Sequence, residues 1–247
     1  MFKLYAKLLD KIRAKQLSKK LGVKVDVVYY QDQGDLLNKE QLSLLLNQYL
    51  TPALNELELH RERDYCWIGE TNSEGIRKVV QYTLLKGRGT LSWGVALDFL
   101  LIPSGNRLVY QRTGKTARVH LFEWTEGYKS SFIKGKLVDG FGVTSHISKN
   151  AEETMIKLVN KEVPLIKEWY EKAKDLSSII EIAEKQAYQE DTINVYNIHY
   201  PPPKYVLAFL YAKIGKKEEA VRLLDEVSFL ENDDSLRTKV KQKLLEL

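Results

Sequence analysis

The chain has 247 residues, 44% of them hydrophobic, and a formal net charge of +5, so it is long enough to bury a substantial core in one domain or two. Its single cysteine, Cys66, excludes an intrachain disulfide, and no run of about twenty apolar residues predicts a membrane span. The N-terminus also lacks the uninterrupted apolar stretch and small-residue cleavage site of a secretory signal, so we expect a globular protein of the cytoplasm.

Charge is distributed unevenly along the sequence. Residues 1–24 carry eight Lys/Arg and one Asp, and residues 77–136 carry eleven Lys/Arg against three Asp/Glu. Between them, residues 25–76 carry three Lys/Arg against ten Asp/Glu, and residues 137–247 carry sixteen against nineteen. Because only residues 1–24 and 77–136 carry a net positive charge, this distribution favours an acidic partner, either a phosphate backbone or an acidic protein.

The first predicted element is an amphipathic helix over residues 1–22, with apolar residues at helical spacing and lysines on the remaining surface. We favour a helix docked on the core, and the alternative is an interfacial helix on anionic lipid or nucleic acid. A short β-like run at 23–30 follows. Asn38 with Gln41 then predicts a capping box that opens a helix, and Pro52 either kinks this helix or, with Thr51 as cap, starts a second turn.

The middle of the chain is predicted to form β-strands. Strands are expected at 65–70 and 76–86, and apolar residues at every second position from Leu91 to Leu101 predict a further strand with one buried face. The glycines at 87 and 89 superficially suggest a phosphate loop. Because that segment leads into another strand and not into a helix, we interpret it as a hairpin turn. Two more β-like runs are expected at 107–112 and 118–124.

After residue 150 the apolar spacing changes to three and four, which predicts helices. The expected helices span residues 151–163, 164–173, 176–188, 204–214, 216–227 and 234–247. The prolines near residue 200 cannot continue a helix, and the glycine- and lysine-rich segment 127–142 remains unassigned. These patterns together predict an α+β fold: an antiparallel sheet of five to six strands packed on one face by helices of residues 1–60, followed by an all-helical region. We expect an α+β sheet domain at 1–145 and a helical region at 146–247.

Two segments resemble known families. Spacing of small and packing residues around Gly215 is similar to the tetratricopeptide pattern, and since only one copy is visible we predict a single helical hairpin over 204–228. The segment 40–124 resembles the bacterial domain-of-unknown-function family 4304. The motifs that carry this resemblance are Leu50-Thr51-Pro52-Ala53-Leu54, Tyr65-Cys66-Trp67, Trp93-Gly94-Val95-Ala96-Leu97-Asp98-Phe99, Pro103, Arg112-Thr113-Gly114-Lys115-Thr116-Ala117 and Leu121-Phe122. The resemblance implies an α+β fold and assigns no catalytic residue.

A search for chemistry finds no sequence signature of a known enzyme class, so we expect no catalytic residue and no cofactor. The four histidines lie far apart without ligand spacing, so we expect no metal site either. Cys66, between Tyr65 and Trp67, is interpreted as a small buried hydrophobe. Asp98 lies inside an apolar strand, and a structural ion pair with Arg112 or Arg118 is favoured over a role as general base.

The candidate binding residues are basic and aromatic side chains of the predicted strands: Arg107, Arg112, Lys115, Arg118, His120 and Trp124. We expect Arg118, His120 and Trp124 to alternate on one face of a strand. That face is either packed against helices, or presented to an acidic protein, or presented to the phosphates and bases of nucleic acid. The leading functional hypothesis is a non-catalytic protein that binds an acidic protein partner, as immunity or adaptor proteins do. The alternatives are nucleic-acid binding through the same face, and a hydrolase or nuclease that joins Asp98 to Glu70 or Glu123 around a metal.

Overall fold

A computed structural model describes most of the chain, namely residues 11–16, 18–19, 24–26, 35–85, 87–105, 107–125, 136–138, 144–189, 200–227 and 234–247. Much of the predicted helix 1–22, the run 27–30, the segment 127–135 and residues 191–199 lie outside the described residues. The described parts of the first helix, residues 11–16 and 18–19, are helical.

The middle of the chain is rich in strands, and helices precede and follow it. The strands are β1 (Lys24–Asp26), β2 (His60–Arg63), β3 (Cys66–Thr71), β4 (Ile76–Leu85), β5 (Arg88–Leu97), β6 (Leu101–Ser104), β7 (Arg107–Tyr110), β8 (Leu121–Trp124), β9 (Lys136–Val138) and β10 (Thr144–Ser145). The helices are α1 (Lys39–Leu45), a π-helical segment (Leu46–Leu50), α2 (Thr51–Asn55), α3 (Ser148–Lys172), α4 (Leu176–Ala187), α5 (Pro203–Lys213), α6 (Lys217–Asp225) and α7 (Asp234–Leu245). Of the helices in these described ranges, none has both the length and the apolarity that crossing a bilayer requires.

An antiparallel sheet of six strands forms the centre, which confirms the predicted α+β class. The strand order is β10-β5-β4-β3-β2, and β8 also pairs with β5. Strand β5 is long enough for β10 to pair at its first residues, Arg88 and Gly89, while β8 pairs at Ser92–Val95. The predicted turn between β4 and β5 is confirmed, because Leu85 pairs with Arg88 in a tight hairpin.

The N-terminal helices pack on one face of this sheet, as predicted. Asn38 and Gln41 form the predicted capping box, with Asn38 Oδ1 accepting from the Gln41 backbone N–H at 2.8 Å. The buried side chains that follow, Leu42, Leu46, Leu50 and Leu54, contact the same cluster as sheet residue Trp67. Helix α3 completes this layer from the other end of the chain, and its Tyr170 hydroxyl donates to the backbone carbonyls of Val79 and Gly94 at 2.9 and 3.1 Å.

The prediction that the central strand has a single buried face is wrong. Leu91, Trp93 and Leu97 face the helices, but the intervening residues Ser92 and Ala96 are buried as well. On that second face the loop of residues 111–120 covers the sheet, and its Ala117 and Val119 lie in one cluster with Phe122 of β8 and with Cys66, which is buried as predicted. The strand also stops at Leu97, so Leu101 begins a separate strand after a turn at 98–99.

The C-terminal helices form the largest apolar cluster with one end of the sheet. Helices α5 and α6 meet at Gly215, whose φ of +84° is the left-handed conformation that ends a helix, and this confirms the predicted helical hairpin. The separate helices expected at 151–163 and 164–173 are a single helix, because α3 continues through Pro164. The Asn160 carbonyl, which has no N–H partner at Pro164, belongs to an exposed residue, so water can reach it.

Short pairings join the remaining strands. Strand β1, within the predicted run 23–30, pairs in parallel with β9 inside the unassigned segment 127–142. Strands β6 and β7 form a separate antiparallel hairpin that lies between the main sheet and the C-terminal helices. This hairpin positions the residues of the candidate site.

Candidate functional site

The hairpin of β6 and β7 turns through two residues. Ser104 pairs with Arg107, and Gly105 between them has a φ of +56°, the left-handed value that tight hairpin turns require. Antiparallel strands alternate hydrogen-bonded and non-bonded pairs, and the pair that flanks a two-residue turn is bonded. Ser104 with Arg107 and Ile102 with Val109 are therefore the bonded pairs. The backbone groups of Leu108 and Tyr110 consequently point away from β6.

The two faces of the hairpin have different neighbours. Ile102, Ser104, Val109 and Gln111 line a cleft beside the main sheet. Arg107 lies on this face too, since it is two residues from Val109 and opposite Ser104. The other face carries Leu101, which is buried, and Leu108, which packs against the same C-terminal cluster.

The cleft has a volume of about 420 Å³. Its walls come from the hairpin, from strand β4, from the loop of residues 111–120 and from the segment before α5; they comprise Gln81, Ile102, Pro103, Ser104, Val109, Gln111, Arg118, Val119, His120, Tyr200 and Pro201. Among these described residues there is no carboxylate, and Arg118 is the one cation with a permanent charge. The polar groups that face the cleft are hydroxyls, amides and this guanidinium, a set suited to an anionic group.

Arg118 reaches the cleft because the loop that carries it is anchored on both sides. Thr113 and Thr116 close a turn, in which the Thr116 amide donates to the Thr113 carbonyl at 3.0 Å. Arg63 Nη2 donates to the Ala117 carbonyl at 2.5 Å, and Val119 is buried against the sheet. With both its neighbours held in the core, Arg118 is left exposed at the wall of the cleft.

His120 is placed differently from the prediction. The expected alternation of Arg118, His120 and Trp124 on one strand face is wrong, because the strand begins only at Leu121. His120 is buried, and its Nδ1 accepts the Leu97 backbone N–H at 2.9 Å. Its proton therefore lies on Nε2, which is 3.1 Å from Gln111 Oε1. The ring thus orients Gln111, a second cleft residue.

The other predicted binding residues are dispersed. Arg112 belongs to the opposite face of the hairpin: its guanidinium carbon lies 3.6 Å from the centroid of the Tyr110 ring, and its Nε donates to the Asp98 backbone carbonyl at 2.7 Å. The contact between Asp98 and Arg112 is thus made by a backbone carbonyl and not by the carboxylate that the sequence suggested. Lys115 is exposed on the turn at 113–116. Trp124 is half-buried against Phe122, with ring centroids 4.9 Å apart.

A buried polar cluster elsewhere was not predicted. The Tyr82 hydroxyl hydrogen-bonds to Thr144 Oγ1, and it lies 2.8 Å from His146 Nε2. Burial raises the pKa of Tyr82 and lowers the pKa of His146, since both charged forms are desolvated. The cluster fastens β10 to the middle of β4 and so has a structural role. Its signal in the sequence is weak, because 62 residues separate Tyr82 from Thr144.

Metal binding has no support among the residues that the structure describes, where no group of three or more His, Cys, Asp or Glu side chains could hold an ion. Glu70 is exposed at the end of β3, whereas Glu123 borders a different cleft, with Trp169 and Gln186. No protein-family model, curated protein or solved structure matches this chain. The resemblances to family 4304 and to a tetratricopeptide hairpin therefore stay predictions.

Proposed function

We propose that this protein is a non-catalytic binding protein whose cleft between the β6–β7 hairpin and the loop of residues 111–120 receives an acidic segment of a partner protein. The observation that carries the proposal is that an exposed arginine, Arg118, borders a concave site whose described walls contain no carboxylate. A guanidinium presents a planar fork of donors that matches a carboxylate, and the concavity lowers the effective dielectric around the pair.

The surrounding groups favour the same ligand. Arg107 lies on the cleft face of the hairpin and adds a second positive charge. Ile102, Val109 and Pro201 supply apolar wall between the polar groups. A segment in which carboxylates alternate with aliphatic side chains would satisfy both kinds of surface, as protein interfaces with arginine anchors do.

A protein partner fits this arrangement better than nucleic acid does. Nucleic-acid binding draws its affinity from many phosphate contacts along a continuous basic track. Here the cations of the sequence segment 107–118 are divided: Arg118 lines the cleft and Arg107 lies on the cleft face of the hairpin, whereas Arg112 is engaged on the other face. Lys115 lies on a separate turn.

The test measures binding of the full chain to three probes: an eight-residue peptide of alternating Glu and Val, its Lys-Val counterpart, and a twelve-residue oligothymidylate. We expect the acidic peptide alone to bind, and Arg118→Glu to weaken it at least about tenfold, or about 1.4 kcal/mol. Arg222→Glu is the matched control, because Arg222 is exposed on α6, outside the cleft, and its reversal changes the net charge equally.

Three results would contradict the proposal. The acidic peptide could fail to bind, or both charge reversals could weaken it equally, which would indicate a nonspecific effect of net charge. Tighter binding of the oligonucleotide, lost in Arg118→Glu and falling steeply with added salt, would assign the cleft to nucleic acid instead.

A further inference from the structure

The two long edges of the β6–β7 hairpin differ in how their backbone groups are satisfied. On the outer edge of β6, the Tyr205 hydroxyl donates to the Leu101 carbonyl at 2.6 Å and the Tyr200 hydroxyl donates to the Pro103 carbonyl at 3.1 Å. Pro103 has no N–H to offer a further strand. Proline on an edge strand discourages pairing with a further strand, and both outward carbonyls of β6 already have partners, so this edge is poorly suited to extend the hairpin.

The outer edge of β7 is chemically complementary to a strand. Leu108 and Tyr110 direct their N–H and C=O groups outward, because Arg107 and Val109 form the bonded pairs with β6. Within the described ranges of the chain, the structure records no backbone partner for these outward groups. Three of the four residues of β7 are exposed, and Leu108 is half-buried.

The charges beside this edge select the strand that it would accept. On one face Arg107 is two residues from Val109, and Arg118 stands across the cleft. On the other face the Arg112 guanidinium lies over the Tyr110 ring. An added strand would place successive side chains on alternate faces, so acidic residues at every second position would meet Arg107 and Arg118.

Resting on the proposed function, we infer that the acidic partner segment binds in an extended conformation and adds to the free edge of β7 as a third strand of the hairpin. Backbone hydrogen bonds from Leu108 and Tyr110 would supply affinity that does not depend on side chains, while the cleft would select acidic side chains. This mode also accounts for how one cleft of about 420 Å³ could hold part of a macromolecule, since only alternate side chains would enter it.

The decisive probes are two N-methylated versions of the Glu-Val peptide, one methylated at every Glu and one at every Val. In a strand beside β7, N–H groups at alternate residues point toward the protein, so methylation of that set removes the ladder and methylation of the other set does not. We expect the two peptides to differ in affinity at least about tenfold. In the full chain, the acidic peptide should also slow amide hydrogen exchange at Leu108 and Tyr110, with Arg107 and Val109 as internal controls.

The outcomes separate this inference from the proposed function. If the unmethylated peptide binds in an Arg118-dependent manner but both methylated forms bind equally, the cleft function stands and strand addition is refuted. If the acidic peptide does not bind at all, the proposed function itself fails. Protection of Leu108 and Tyr110 that rises with protein concentration without peptide would assign the edge to a second copy of this chain, and would also overturn the inference.

Discussion

Removal of the Tyr205 hydroxyl should destabilise the protein more than removal of the Tyr200 hydroxyl, although both groups cap carbonyls on the same strand edge. Tyr205 is fully buried, and its acceptor, the Leu101 carbonyl, lies in the C-terminal apolar cluster. In Tyr205→Phe this carbonyl loses its partner where water cannot replace it, so the free energy of unfolding should fall by about 1–3 kcal/mol. Tyr200 is exposed, so water can bond to the Pro103 carbonyl in Tyr200→Phe and the loss should stay below about 1 kcal/mol.

Urea unfolding of the two variants and the parent protein measures the difference in their free energies of unfolding. The two variants are comparable because each substitution deletes one oxygen and leaves the ring in place. The slope of the free energy against urea should not change, since neither variant alters the area that unfolding exposes. Equal losses in the two variants would refute the argument that burial decides the cost of an uncapped carbonyl. A loss below about 0.5 kcal/mol in Tyr205→Phe would show that this hydrogen bond does not stabilise the β6 edge.

Three further predictions test the sheet and the helix layer. Gly94→Ala should lower the free energy of unfolding, measured by urea titration, by more than about 3 kcal/mol, because a Cβ would lie 1.9 Å from the Leu121 carbonyl oxygen on β8. The control Gly105→Asn, at a turn open to solvent, should lower it by less than about 1 kcal/mol. Since burial lowers the folded-state pKa of His146, the unfolded chain binds more protons below pH 6.5. Stability should therefore fall as pH decreases from 7 to 5, by at most about 1.4 kcal/mol per pH unit from this group, and His146→Gln should remove that contribution. Asn38→Ala should lower stability by about 1 kcal/mol through loss of the helix cap, and no change would contradict its role in the capping box.

Local patterns were sufficient for much of the fold. The capping box at Asn38, the turn between β4 and β5 and the pair of helices about Gly215 each depend on residues close in sequence, and all three are present. The second buried face of β5 was missed because its cover, the loop of residues 111–120, has no periodic pattern of its own. Long-range closure of this kind is decided by tertiary packing, which single-residue propensities do not encode.

The contrast between local patterns and long-range packing also explains which candidate site residues the sequence could indicate. Charge density directed attention to the segment 107–118, since four of its residues are cations. The sorting of those cations depends on strand parity, which requires the true strand ends. Residues 107, 109 and 111 share one face, and residues 108, 110 and 112 share the other, so a single hairpin register separates Arg107 from Arg112.

The asymmetry of the hairpin connects its stability with the proposed mode of partner binding. The Tyr205 hydroxyl satisfies the Leu101 carbonyl, which would otherwise be buried without a partner, and Pro103 offers no N–H to a further strand on that side. Both outward carbonyls of β6 are therefore occupied, whereas the structure records no backbone partner for the outward groups of β7 within the described ranges. In the proposed binding mode, Arg107 on β7 and Arg118 in the cleft wall would select acidic side chains of a strand that adds to this edge.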